Sequence, residues 1–120
     1  MRLNIWLINH IKVCILIQFK KVNILAEAVT FEWDDKKNRL NQRKHNISFE
    51  EAQFAFSDLK RIIAKDLEHS ESEERFYCFG KIGENIVTVR FTYRNNKIRI
   101  IGAGYWRKGK QIYEKENKVQ

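Results

Sequence analysis

An α+β domain is the fold class this sequence predicts, and three observations carry it. Residues 86–94 alternate strictly, with Val87, Val89, Phe91 and Tyr93 on one face and Thr88, Arg90, Thr92 and Arg94 on the other, the period of a half-buried strand. Ser48-Phe49-Glu50-Glu51 opens a helix with a capping box. Around these, strand-like and helix-like stretches follow one another in the order β-α-α-β-β-β-β-α. That order implies a mostly antiparallel sheet of about four to five strands with its helices, two N-terminal and one short C-terminal, packed against one face.

Each element has a local cause. Phe31-Glu32-Trp33 alternates as a short strand would, and Asp34 suits the N-cap of a helix from Asp35 to about His45. That helix is largely polar, with Leu40 as its main apolar contact, and Asn46 suits the left-handed residue that stops it. The second helix, about residues 49–57, sets Phe49, Ala52 and Phe56 on one core-facing stripe. Strand-like runs follow at 61–65, 73–81, 86–94 and 97–103. Asn95-Asn96 tolerates positive φ, so the last two runs pair as a hairpin. Residues 106–116 close the domain as a short helix.

Residues 1–29 differ in character. Ile5 to Phe19 is mostly apolar, yet Asn9, His10 and Lys12 interrupt it, and it falls short of the roughly 20 residues of a membrane span. Arg2 before an apolar run and the Ala26-Glu27-Ala28 triplet fit a leader peptide, but the charge within the run argues against one. The expected organisation is an N-terminal extension at 1–29, a domain at 30–116 and a tail at 117–120. Cys14 and Cys78 form no metal-binding spacing and are expected as free thiols in a reducing cytoplasm, and the three histidines are too scattered to be a ligand set.

The net charge of +8 is unevenly placed: +3 over residues 1–30, −3 over 31–74 and +8 over 75–120. A basic C-terminal part beside a mildly acidic middle implies a surface that meets a polyanion or is simply solvated. Charge alone does not separate RNA, DNA and an acidic protein.

Four segments narrow that choice. FEWD, KHNISFEEA, HSESEERFYCFG and TYRNNKIRIIGAGYWRKGKQIYE, in that order and spacing over about two thirds of the chain, resemble the BrnT family of bacterial toxins, small ribonucleases related to the RelE toxins. The resemblance implies a RelE-like fold and a cytoplasmic endoribonuclease that inhibits translation. It also implies a ribbon-helix-helix antitoxin, BrnA-like, as partner, with operator DNA touched only through that antitoxin and no membrane. The chain departs from the family's Ser-Ala-Arg in one place, where it has Gly102, Ala103 and Gly104. The alternative is therefore a catalytically weak or inactive module that binds the antitoxin and modulates its operator binding.

Cutting RNA without a metal requires removal of the 2′-hydroxyl proton, positive charge on the phosphorane, and a proton for the leaving 5′-oxygen. Arginine suits the second task, since its planar fork matches phosphate oxygens. Arg75, Arg90, Arg94 and Arg99 come from strands that would be neighbours. Arg75, Arg94 and Arg99 are the catalytic candidates, and each is alternatively a solvated or ion-paired side chain. His45 is either a general acid or base or the cation closing its helix. Lys44, Arg90, Arg107, Lys108 and Lys110 are candidate RNA contacts, with Trp106 either stacking a base or anchoring the last helix. His69-Ser70 reads as a loop-fixing turn. No acidic cluster suited to Mg²⁺ accompanies these residues, so no cofactor is expected.

Overall fold

The computed structural model describes residues 30–70 and 72–118. Its elements are β1 (Phe31–Glu32), α1 (Asp35–His45), α2 (Phe49–Ala52, continued by a 3-10 turn at Gln53–Ser57), β2 (Ile62–Lys65), β3 (Arg75–Ile82), β4 (Asn85–Arg94), β5 (Lys97–Gly104) and α3 (Arg107–Glu116). This is the order read from the sequence. The expectations for residues 1–29 and for Cys14 lie outside the described residues. Among the described residues no helix is long and apolar enough to cross a membrane.

The strands form one sheet in the order β1-β5-β4-β3-β2. The sheet is mostly antiparallel: β1 runs parallel to β5, while the other three pairs are antiparallel. No hairpin joins β1 to β5, and with the whole of α1 to β4 between them its direction is free of the constraint a short turn imposes. Between β4 and β5 the register shifts at Arg90/Phe91, where Gly102 pairs with Arg90 and Ile100 with Phe91. Ile101 is thus an extra residue on β5, a bulge of the kind that re-aims side chains.

Helix placement needs correcting. The helices do not share one face. α2 and its 3-10 turn bury Phe49, Ala52, Ala55 and Phe56 against Ile63, Cys78, Val87, Val89, Phe91 and Ile100. α3 lies on the opposite face, where Tyr113 joins Ile62, Ala64, Tyr77 and Phe79. With the first face filled, the apolar stripe of α3 gains burial only on the second. Gly109 makes the approach close enough, because a Cβ there would overlap the Thr88 hydroxyl and press on the Phe79 ring.

α1 begins and ends as its caps dictate. The Asp34 carboxylate accepts from the Lys37 amide at 3.0 Å, and Asn46 takes φ 56° to stop the helix. The Ser48–Glu51 capping box is complete. Leu40, however, is largely exposed rather than the docking residue; α1 is held by two buried amides, Asn38 and Asn41. Asn38 accepts from the Phe49 amide at 2.8 Å and donates to Glu50 at 2.7 Å. Asn41 donates to the carbonyls of Ile47 and Ala103, both at 3.0 Å, and accepts from the Ala103 amide at 3.2 Å. It therefore pairs the part of the β5 edge that the two-residue β1 leaves open.

A cationic groove as the candidate active site

The register of the sheet explains how the site is assembled. On the α3 side, Tyr77, Arg90 and Gly102 lie directly across from one another on β3, β4 and β5. One pair further along, Phe79, Thr88 and Gly104 are neighbours, and the start of α3 covers them. In the other direction stand Arg75, Thr92 and Arg99. Tyr77 and Arg90 thus become the floor of a groove of about 540 Å³. α1, held at the edge by Asn41, adds Lys37, Lys44 and His45 as one wall, while Trp106 and the loop residue His69 complete it.

Two lysines, one arginine and two histidines line this groove, and among the described residues no Asp or Glu does. Buried Nε of Arg90 has no hydrogen-bond partner among the described residues, an arrangement that costs free energy until an acceptor arrives. Burial, and then the nearby negative charge of Asp66, pushes the Tyr77 phenol up to about 12, so near neutral pH it keeps its proton and donates. Behind the loop, Asp66 is buried and accepts from the amides of Glu68 and His69 at 3.1 and 3.3 Å. His69 Nδ1 lies 3.0 Å from the same carboxylate. An ionised carboxylate only accepts, so Nδ1 is the donor. Among the described residues no group of three or more His, Cys, Asp or Glu is placed to hold a metal ion.

The residues singled out from sequence are distributed unevenly. Lys44, His45 and Arg90 line the groove. His45 also packs edge-on against Trp106, with ring centres 5.1 Å apart. Arg75, Arg90, Arg94 and Arg99 share one face of the sheet by register, but their side chains are not equivalent. Arg94 is forked onto Glu73 at 2.9–3.2 Å, and Arg99 donates to Glu32 at 3.1 Å. Arg75 is half-buried beside the groove floor, with its amide donating to the Ser70 hydroxyl at 3.0 Å. Arg107 and Lys110 line a smaller hollow of about 310 Å³, and Trp106 borders both hollows. Lys108 is exposed and lines neither.

Lys37, Tyr77, Asp66 and His69 were not singled out as site residues by sequence reasoning. Ser70 does fix its loop through the Arg75 amide, but His69 reaches the groove as well. The available signal was the spacing Asp66-x-x-His69, which lets a carboxylate meet an imidazole across a tight turn.

The two glycines at the departure point behave differently. A Cβ at Gly102 would meet only Asn41 Oδ1, at 4.0 Å, whereas one at Gly104 would lie 2.7–2.9 Å from the Trp106 ring. Gly102→Ser is therefore expected to change stability by less than about 0.5 kcal/mol while adding a hydroxyl to the groove. Gly104→Ala must displace the indole and is expected to cost roughly 1–3 kcal/mol. Denaturant melts of the two variants check the contrast.

No curated protein matches the chain. A family model described as the ribonuclease toxin BrnT of type II toxin–antitoxin systems matches residues 33–109, a span that includes every residue lining the groove. On that match over more than half its length, this chain belongs to the BrnT family of ribonuclease toxins.

Proposed function

We propose that this protein is an endoribonuclease toxin with a RelE-like fold, which cuts RNA in the groove without a metal ion and so inhibits translation in the cytoplasm. A ribbon-helix-helix antitoxin would silence it and carry the pair to operator DNA. The working unit would be residues 30–116, with residues 1–29 an extension. The observation that carries the reading is a groove that no Asp or Glu lines among the described residues, whose floor presents an Arg90 donor with no partner among them, flanked by Lys37 and Lys44.

RNA brings its own nucleophile, so the protein need only bind the phosphate, stabilise added charge and move protons. Arg90 suits the phosphate because its fork stays charged and its Nε lacks an acceptor among the described residues. Lys37, Lys44 and Arg75 add positive potential beside it. A strand leaving the groove would pass Trp106, where a base can stack, towards Arg107 and Lys110. Lys108 would contribute long-range attraction. Arg94 and Arg99 reach RNA only by exchanging Glu73 and Glu32 for phosphate, which makes them secondary contacts. His45, which lines the groove, would transfer a proton or clasp a phosphate. The products would be a 2′,3′-cyclic phosphate and a 5′-hydroxyl.

A second reading has its own support. Gly102 and Gly104 bring neither hydroxyl nor guanidinium to the groove, and Arg94 and Arg99 are neutralised. That combination suits a weak or inactive module that binds the antitoxin and modulates operator binding. Incubating purified protein with end-labelled RNA in EDTA separates the two. The nuclease reading expects cleavage with cyclic-phosphate ends and growth arrest on expression; intact RNA and unimpaired growth would favour the module.

A further inference from the structure

The Asp66 carboxylate is 1% exposed and faces an imidazole. Burying such a charge costs several kcal/mol unless donors compensate. Two backbone amides of the turn donate to it. The third donor, His69 Nδ1, fixes the ring's tautomer and leaves Nε2 as the atom available for proton exchange. That ring is 46% exposed and lines the groove. The Tyr77 hydroxyl donates towards Asp66 and accepts from Arg90, so one buried carboxylate organises the imidazole and, through the phenol, the guanidinium. His45 lines the same groove but has no carboxylate partner among the described residues; Trp106 is its neighbour.

We infer that His69 is the general acid of the cleavage and Asp66 its positioning residue, an assignment that rests on the nuclease reading above. In the step, the 2′-oxygen bonds to phosphorus and its proton leaves to water. The bond from phosphorus to the 5′-oxygen breaks with its electron pair remaining on that oxygen. His69 Nε2 supplies the proton that oxygen takes, and solvent restores it to the imidazole. The Asp66 carboxylate compensates the imidazolium charge present before the step, while Arg90 holds the phosphate oxygens.

The test compares ordinary RNA with an oligonucleotide whose scissile 5′-oxygen is replaced by sulfur, a leaving group that needs no proton. His69→Gln is expected to slow single-turnover cleavage of ordinary RNA by about 10²-fold or more. It should also abolish the alkaline fall of the pH–rate profile, yet cut the sulfur substrate within about tenfold of the unsubstituted protein, the residue general-acid loss would leave. Asp66→Asn, confirmed folded by circular dichroism, should lower kcat with little change in KM. Because Asp66 also holds a turn, the exposed His69 carries the decision. Equal rates for His69→Gln and the unsubstituted protein on ordinary RNA, or equal losses on both substrates, would overturn the assignment while leaving the nuclease reading intact. Failure of the unsubstituted protein to cut either substrate would remove both.

Discussion

Replacing Arg90 with alanine is expected to slow single-turnover RNA cleavage by about 10²-fold or more, the scale set by removing one preorganised donor from a transition state. Its Nε is buried and unpartnered among the described residues, and the neighbouring phenol keeps its proton. A phosphate in the groove gives that donor its acceptor, so part of the binding is relief of a cost already present in the free protein. Arg90→Lys retains charge but not the planar fork, and only partial recovery is expected. Folding should be little disturbed, since Arg90 is half-buried and no described carboxylate depends on it. If Arg90 meets one phosphate, the slope of log affinity against log salt for single-stranded RNA should flatten by about 0.7 in Arg90→Ala. An unchanged rate and slope would place the RNA elsewhere.

Much of this architecture is written locally, and what is not has a physical reason. The alternation from Val87 to Arg94, the Asn95-Asn96 turn with φ of 54° and 62°, and the caps at Asp34, Asn46 and Ser48 are short-range signals, and each element they mark is present. The side of the sheet chosen by α3 is not local: a helix shows its apolar stripe but not which of two surfaces is still vacant. β1 is too short for its direction to be encoded in its own residues. The site divides the same way. Lys44 and Arg90 reach the groove because α1 and β4 are regular. Arg94 and Arg99 meet Glu73 and Glu32 from 21 and 67 positions away, so no spacing announces those pairs. His69 had a readable cue in Asp66, three residues earlier, but a turn motif and a proton-transfer pair share that pattern.

The same reasoning gives Asn41 more weight than a polar helix would suggest. Its side chain satisfies the Ala103 amide, the Ala103 carbonyl and the Ile47 carbonyl. Asn41→Ala leaves those groups buried without their partner at about 1–3 kcal/mol each, so a total loss of roughly 3 kcal/mol or more is expected by denaturant titration. Asn41→Asp, nearly identical in shape, should be at least as damaging at neutral pH. The carboxylate can still accept from the Ala103 amide, but its second oxygen faces carbonyls where the amide had donated. Protonation restores a donor, which raises the folded-state pKa of that aspartate above its unfolded value. Stability of Asn41→Asp should therefore recover as pH falls and decline as pH rises, a trend absent from Asn41→Ala. Because α1 carries Lys37, Lys44 and His45 to the groove, weaker RNA binding should accompany the loss even where the domain stays folded. Full stability in both variants would mean that α1 is fastened by something other than this amide, and the groove wall with it.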